Sequence, residues 1–253
     1  MIGVGIDIGS IAAKGILLNE EKEYRALLPT GWSPRQAGEA IIGELLKAAG
    51  LSRAEVDQIV VTGYGRIALQ GADQAVTEIK CHARGVTARY PQVRTIIDIG
   101  GQDSKVINVS GAGKVLDFAM NDKCAAGTGR FLQVMAAALG MDVSELGDNE
   151  NDDETVTINS MCTVFAESEI IGLLAQGLPP GGIIAGLHQS VGKRVGAMAR
   201  RLGVKEQVAF TGGVAINRGV KRALQQELGF ELLVPDDCQF TGALGAALIA
   251  CNQ

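Results

Sequence analysis

The sequence lacks the marks of several protein classes. Its formal net charge is −5 and it contains no run of basic residues, so a nucleic-acid-binding protein is not expected. The N-terminus reaches Asp7 with no basic segment before it, which predicts a strand rather than a signal peptide. No apolar stretch approaches the roughly 20 residues that a membrane-spanning helix requires. These absences predict a cytoplasmic protein that binds neither nucleic acid nor membranes.

Two common nucleotide-binding motifs are also missing. The sequence has no G-x-x-x-x-G-K-[ST] string, and no G-x-G-x-x-G string opens a helix after the first predicted strand. A nucleotide site in this chain must therefore be built in another way.

The cysteines do not form a disulfide framework. They are five, an odd number, and lie far apart at positions 81, 124, 162, 238 and 251. In a reducing compartment such thiols are free or bind metal. Cys238 and Cys251 are expected to be small buried residues, and Cys81 a core or surface residue, because a free cysteine most often packs as a small hydrophobe.

Cys124 and Cys162 differ from the others in their surroundings. Cys124 lies in MNDKCAAGTGRFL (120–132) and Cys162 opens CTVFAESE (162–169), each directly before a predicted helix. The free N–H groups and positive dipole of a helix N-terminus stabilise an anionic centre, which suits an iron–sulfur cluster. A cubane needs four thiolates, so two per chain predict a symmetric dimer with the cluster on its axis. Four thiolates also suit Zn²⁺, and a zinc site is the alternative.

The hydrophobic pattern predicts an α/β protein with strands and helices along the whole chain. The predicted strands are 2–8, 14–20, 23–29, 56–62, 95–99, 104–109, 114–119 and 206–211. The predicted helices are 34–49, 75–89, 128–139, 163–176, 181–202 and 214–228, with a last one from 241. The turn at 63–66 is expected to be structural, with contact of Arg66 to a partner or to phosphate as the alternative. The acidic stretch Asp148–Glu154 is expected to be a solvated loop.

A short pattern occurs twice. Ile6-Asp7-Ile8-Gly9-Ser10 and Ile97-Asp98-Ile99-Gly100-Gly101 each end an apolar strand with aspartate, an apolar residue and glycine, followed by a turn and another strand. Such an internal duplication indicates two similarly built lobes facing each other across a cleft. We place them at residues 1–94 and 95–253.

The duplicated turns suit a phosphate. Glycines allow close approach to phosphate oxygens, so backbone N–H groups at four turn positions are candidate ligands: Gly9, Ser10, Gly100 and Gly101. Asp7 and Asp98 end their strands and are candidates to hold Mg²⁺ through its waters, or to orient an attacking water. Lys14 and Lys105 are candidates to neutralise phosphate charge. A third turn, Thr211-Gly212-Gly213, follows a strand and opens a helix, which places a nucleotide at a helix N-terminus.

Taken in this order, the three turns resemble the phosphate-1, phosphate-2 and adenosine motifs of the actin/hexokinase/Hsp70 ATPases. Within that superfamily the chain resembles the activators of 2-hydroxyacyl-CoA dehydratases, of the BadF/BadG/BcrA/BcrD ATPase family. Five strings carry this resemblance: IDIGGQDSKVI (97–107), MNDKCAAGTGRFL (120–132), CTVFAESE (162–169), TGGVAIN (211–217) and GALGAAL (242–248). The two cysteine strings are the most specific of them, and the likeness runs from end to end.

The resemblance implies a fold of two ribonuclease H-like lobes with a nucleotide cleft between them. It implies a homodimer that shares one [4Fe-4S] cluster, with Cys124 and Cys162 from each subunit as ligands, and one ATP or ADP with Mg²⁺ per subunit. The implied catalytic residues are Asp7, Asp98 and Asp103. The implied cofactor-binding residues are Gly9, Ser10, Lys14, Gly100, Gly101, Gln102, Gly212, Gly213 and Asn217.

The function implied is that of an ATP-hydrolysing reductase of anaerobic metabolism. It would take an electron from ferredoxin or flavodoxin and pass it at low potential to an iron–sulfur enzyme such as a 2-hydroxyacyl-CoA dehydratase. Reductases of double-cubane cluster proteins and ATPase subunits of benzoyl-CoA reductase share these strings and are alternatives. A small-molecule kinase of the same superfamily is the alternative of a different class, since it would carry no cluster.

Overall fold

The computed structural model describes residues 1–20, 22–121, 123–151, 154–160 and 162–252. Its strands are β1 Gly3–Ile8, β2 Ala12–Leu18, β3 Glu23–Pro29, β4 Gln58–Thr62, β5 Gln74–Ala75, β6 Thr95–Ile99, β7 Ser104–Val109, β8 Val115–Asn121 and β9 Val208–Thr211. Its helices are α1 Pro34–Ala49, α2 Glu78–Arg89, α3 Gly129–Ala138, α4 Thr163–Ala175, α5 Pro180–Leu202, α6 Arg218–Leu228 and α7 Thr241–Ala250. The α/β class predicted from the sequence is confirmed.

The chain forms two compact units that alternate along the sequence. The first contains Met1–Ile96, Ile107–Phe118 and Asp236–Gln253, and the second contains Ile97–Val106 and Ala119–Pro235. The predicted lobes, 1–94 and 95–253, are contiguous instead, and that division stays a prediction.

The first unit is built on a five-stranded sheet of order β3-β2-β1-β4-β5. β1 pairs antiparallel with β2 and parallel with β4, and every residue of β1 is buried. Helix α1 begins at Pro34, where the Ser33 side chain accepts a hydrogen bond from Gln36 N at 3.3 Å. Its residues Ile41 and Leu45 are fully buried in the core beside the strands, each contributing about 1.5–3 kcal/mol.

The last helix of the chain packs within the first unit. Helix α7 contacts α2 and strands β1, β2 and β4. The Arg25 and Arg89 guanidinium groups both reach the buried carboxylate of Asp237, at 3.1 and 3.2 Å. These ion pairs fix the segment that leads into α7.

The second unit is mainly helical. The second sheet of the chain has four strands in the order β8-β7-β6-β9, and only residues 97–99, 104–106, 119–121 and β9 of it belong to this unit. α5 packs against α6 and α4, and α3 packs against α4. Among the described residues, none of the helices is both long and apolar enough to cross a membrane.

Two local predictions need correction. The helix predicted at 214–228 is two elements, a 3₁₀ turn Gly213–Ile216 and α6, because Asn217 takes an extended conformation between them. The stretch 148–154 is not uniformly solvated. The Glu150 side chain is only 6% exposed and pairs with His188 and Arg222, while Asp148 is exposed. Asp152 and Asp153 lie outside the described residues.

Candidate functional site

The first candidate phosphate turn joins β1 to β2. Gly9 N donates to Ala12 O at 3.1 Å and so closes the turn that carries Gly9 and Ser10. Asp7 is 6% exposed, and Lys14 lies directly opposite it in the antiparallel register. Lys14 Nζ lies 3.4 Å from Asp7 Oδ2, so the lysine screens a buried carboxylate.

The second turn joins β6 to β7 and repeats this arrangement at the same spacing. Gly100 N donates to Asp103 O at 2.9 Å, and Gly101 and Gln102 lie between them. Lys105 Nζ lies 3.3 Å from Asp98 Oδ2 and 2.7 Å from Asp103 Oδ1. Asp98 and Lys105 are 2% and 1% exposed. The structure thus brings Asp98, Asp103 and Lys105 together.

A threonine–glycine pair ends a neighbouring strand in both units, a second repeat beyond the duplicated aspartate turns. In the first unit, β4 places Thr62 beside Asp7 in parallel register. Gly63 follows with φ of +85°, and a Cβ there would overlap Asp7 Oδ1 and lie 2.6 Å from Ile8 O. Only glycine therefore fits against this aspartate.

The second unit has the same pair on β9. Thr211 Oγ1 donates to Asp98 Oδ1 at 2.8 Å within the core. Gly212 follows with φ of +89°, and a Cβ there would lie 3.0 Å from Asp98 Oδ1 and overlap Ile99 O. The sequence carries the signal for this repeat as Thr62-Gly63 and Thr211-Gly212.

The third predicted turn lies within the second unit. Gly212 and Gly213 connect β9 to the 3₁₀ turn. Asn217 caps α6, and its side chain accepts a hydrogen bond from Val220 N at 2.9 Å. The amide nitrogen of the Asn217 side chain takes no part in this bond.

The chemistry of each aspartate follows from its surroundings. Each carboxylate is buried at a strand end and paired with one lysine, and each is bordered by a turn rich in backbone N–H groups. Buried carboxylates of fixed orientation suit a hydrated Mg²⁺, and the glycine turns suit phosphate oxygens. The arrangement is equipped for phosphoryl chemistry.

The second turn is bonded to the helix that follows Cys124. Gly129 N donates to Gly100 O at 2.8 Å, and Arg130 N donates to Gly101 O at 2.8 Å. These are the first two residues of α3. The start of that helix is therefore tied directly to the turn predicted to hold phosphate.

The Cys124 loop is shaped by one amide side chain. Asn121 Nδ2 donates to Cys124 O at 2.9 Å and to Ala126 O at 3.2 Å. Thr128 Oγ1 closes the loop by donating to Ala125 O at 2.6 Å. Cys124 itself is half-buried. Asp122, part of the same string, lies outside the described residues.

Cys162 is exposed and is the N-cap residue of α4. Its carbonyl accepts from Ala166 N at 2.8 Å, so its side chain stands at the free N-terminal end of the helix. Among the described residues, Thr163 Oγ1 is a buried hydroxyl without a hydrogen-bond partner. Val164 and Phe165, the next two residues, are 66% and 67% exposed. Met161, which precedes Cys162, lies outside the described residues.

Glu169 holds the segment that leads to Cys162. Its carboxylate accepts from Asn159 N at 2.9 Å and from Ser160 N at 2.8 Å. Burial raises the pKa of Glu169, but the hydrogen bonds from Ser160 and Asn159 outweigh it and hold the pKa below its ordinary value. This positioning role leaves no signal in the sequence, because the contact joins residues nine and ten positions apart.

The remaining cysteines are buried, as expected for Cys238 and Cys251. Burial raises the pKa of the Cys81 thiol to about 12 and also raises that of Cys251. A thiol of high pKa is a poor metal ligand, because the thiolate is the binding form. In the described part of one chain, no three His, Cys, Asp or Glu side chains come together as a metal site.

The chain has close relatives of known name. It matches the BadF/BadG/BcrA/BcrD ATPase family over residues 4–250. It is 47% identical over 255 residues to the 2-hydroxyisocaproyl-CoA dehydratase activator of Clostridioides difficile, covering 100% of this chain and 96% of the relative. It is 47% identical over 253 residues to the (R)-2-hydroxyglutaryl-CoA dehydratase activating ATPase of Acidaminococcus fermentans, covering 99% of this chain and 97% of the relative.

Solved structures support the same assignment. The activator of the 2-hydroxyisocaproyl-CoA dehydratase from Clostridium difficile with bound ADPNP matches with a TM-score of 0.93 and 47% identity, covering 100% of this chain and 95% of that chain. A ROK family glucokinase from Streptomyces griseus in complex with glucose and AMPPNP shares the fold alone, with a TM-score of 0.58, 14% identity and full coverage of both chains. The predicted actin/hexokinase/Hsp70-like fold is confirmed. The chain belongs to the BadF/BadG/BcrA/BcrD ATPase family.

Proposed function

We propose that this protein is an ATP-dependent iron–sulfur reductase that donates low-potential electrons to a partner enzyme. The observation that carries the proposal is the direct bonding of one candidate phosphate turn to the helix behind Cys124. Gly100 O and Gly101 O accept from the first two N–H groups of α3. In an ATPase family, this contact joins residues predicted to bind nucleotide to the helix that follows a cysteine predicted to hold a cluster.

The nucleotide would be held by both aspartate turns. The N–H groups of Gly9, Ser10, Gly100 and Gly101 would face phosphate oxygens, with Lys14 and Gln102 beside them and Gly212, Gly213 and Asn217 at the adenosine. Asp7 and Asp98 would hold hydrated Mg²⁺. Asp103 accepts from Lys105, so in this proposal it orients the lysine beside Asp98.

The cysteines fit a [4Fe-4S] cluster. Cys162 is exposed at a helix N-terminus, where the dipole and the free N–H groups favour an anionic centre. The unpartnered hydroxyl of Thr163 is available to donate to a sulfur there. The cluster would supply one-electron storage at low potential. Asn121 and Glu169 would keep the two cysteine segments in place.

A second subunit would complete the metal site. One chain offers Cys124 and Cys162, and a cubane takes four thiolates. Val164 and Phe165 are exposed apolar side chains beside Cys162 and would be buried between the subunits. An isologous interface would bring the same residues of both subunits to one axis.

The partners follow from the named relatives. These are activators of 2-hydroxyacyl-CoA dehydratases, and we propose that an enzyme of this kind accepts the electron. Ferredoxin or flavodoxin would supply it, in the cytoplasm of an anaerobe.

The test is anaerobic purification followed by iron analysis and visible spectroscopy. Cys124→Ser and Cys162→Ser should lose the broad visible absorption, whereas Cys238→Ser, a buried cysteine outside the site, should keep it. We expect about four irons per dimer, from four thiolates per cubane. Four irons per monomer, or a colourless zinc protein, would contradict the shared cluster.

A parallel measurement separates the nucleotide part of the proposal. Asp7→Asn should keep the fold and the dimer but lose most ATP hydrolysis, because the amide carries no charge for Mg²⁺. Unchanged turnover in this variant would remove Asp7 from the mechanism without affecting the cluster.

A further inference from the structure

A pocket opens in the second unit, apart from the residues assigned to nucleotide. Its volume is about 270 Å³, and all its lining residues belong to that unit. Arg194, Met198 and Arg201 of α5 form one wall. Ser104 and Asn121 form part of the other. Since a liquid water occupies about 30 Å³, the pocket has room for several waters or one small ion.

The two arginines make this pocket basic. They lie seven residues apart on one face of α5, which is about 10.5 Å along the helix axis, so both side chains can reach one group. Among the described residues, neither guanidinium has a hydrogen bond or an ion pair. By contrast, the neighbouring Arg200 binds Glu227 O at 2.7 Å and points elsewhere.

The chemistry of the walls identifies the ligand class. A guanidinium presents a planar fork of N–H donors that matches the oxygens of carboxylate and phosphate. The Ser104 side chain adds a hydroxyl, and Met198 adds an apolar surface. We propose that this pocket binds a small oxyanion, a phosphate or a carboxylate, between Arg194 and Arg201.

The position of the pocket lets a bound anion act on the Cys124 loop through the residues that line it. Asn121, which lines the pocket, donates to the carbonyl oxygens of Cys124 and Ala126. Arg194 also passes close to this loop, because a Cβ on Gly127 would lie 3.1 Å from Arg194 Cδ. An anion that fixes Arg194 therefore restrains the Cys124 loop, whether or not a cluster is bound.

Calorimetric titration with inorganic phosphate and with succinate tests the site. The protein is saturated with the non-hydrolysable ATP analogue ADPNP, which fills the γ-phosphate position as well, so that added phosphate cannot bind at the nucleotide turns. Chloride keeps the ionic strength constant. Arg194→Gln and Arg201→Gln should each weaken binding about ten- to a hundredfold, because each removes a charge-assisted contact. The anion that binds with the lower Kd shows whether the pocket prefers phosphate or carboxylate.

Lys193→Gln is the matched control. It removes one positive charge from an exposed residue of the same helix, outside the pocket. Its affinity should equal that of the unchanged protein. Failure of both anions to bind, or equal weakening in Lys193→Gln and the arginine variants, would overturn the proposal.

Hydrogen exchange measures the effect on the loop. The anion that binds should slow exchange of the amides of residues 123–129 in the unchanged protein and in Lys193→Gln, but not in Arg194→Gln. This readout needs no cluster, so it is independent of the proposed electron transfer. Exchange that does not respond to a bound anion would refute the link to Cys124.

Discussion

Thr211→Val removes one hydroxyl from beside Asp98 and little else. Thr211 is fully buried on β9, and its Oγ1 donates to Asp98 Oδ1 at 2.8 Å. Valine has almost the same shape and the same preference for a strand, so the substitution creates no cavity. The variant therefore isolates a single hydrogen bond to a buried carboxylate.

The expected loss of stability follows from that contact. A hydrogen bond to a charged group contributes about 1.5–3 kcal/mol, and its removal leaves a buried acceptor oxygen with one partner fewer. Asp98 keeps the ammonium of Lys105 at 3.3 Å, so the carboxylate stays paired. We expect the free energy of unfolding to fall within this range.

Thr62→Val is the matched control in the other unit. Thr62 occupies the corresponding position beside Asp7, but among the described residues its Oγ1 has no hydrogen-bond partner of regular geometry. The Thr62 hydroxyl lies close to the Cys81 thiol. Burial raises the pKa of that thiol, and the Thr62 hydroxyl lowers it by a smaller amount. Exchanging an unsatisfied buried hydroxyl for a methyl group should leave stability unchanged or raise it by about 1 kcal/mol.

Urea unfolding of the two variants and the unchanged protein measures these changes in the free energy of unfolding. A shift of the midpoint at constant slope reports stability alone. ATP hydrolysis should also fall in Thr211→Val, since Asp98 loses a group that orients it. Equal unfolding midpoints for Thr211→Val and Thr62→Val would refute the argument that the duplicated threonines differ in function.

Two further predictions concern the aspartate and cysteine segments. Glu169→Gln should speed amide exchange at Asn159 and Ser160. Because the pKa of Glu169 is lowered in the folded protein, its carboxylate stabilises the fold above pH 4.5, and this stabilisation is lost as the pH falls through the lowered pKa. The variant should therefore lack this dependence of stability on acid pH. Gly63→Ala should lower the unfolding temperature far more than Gly31→Ala, since both glycines have positive φ but only a Cβ at 63 meets Asp7. Thermal unfolding compares the two glycine variants, and similar losses would show that backbone conformation alone matters there.

Features that depend on residues close together in the chain could be predicted from the sequence. Helix α1 begins after Ser33 and ends before Gly50, as the capping residues predict. The duplicated turns form the expected hairpins, because a strand, a glycine turn and a second strand are coded in one short segment. The spacing of Lys14 from Asp7 is likewise local, and it places both in opposite positions of one hairpin.

The features that were missed depend on contacts between distant segments. Glu150 looked solvated within an acidic stretch, but it pairs with His188 and Arg222, which lie on two helices far along the chain. Glu169 ends the CTVFAESE string, and nothing in that string indicates that its carboxylate holds the segment before its own helix. Such partners are chosen by tertiary packing, which leaves no periodic trace in the sequence.

The contact between the second turn and α3 explains why a phosphate site and a cysteine would share one short region of chain. Both N–H groups that bind Gly100 O and Gly101 O come from the first turn of α3, where an N–H has no partner inside the helix. If the turn moves and the start of α3 does not, two hydrogen bonds break, at a cost of about 1 kcal/mol each. If nucleotide binds at this turn as proposed, its state and the position of the Cys124 loop would be linked thermodynamically. Nucleotide would then change the affinity for a partner that favours one loop position, and that partner would change nucleotide affinity by the same factor.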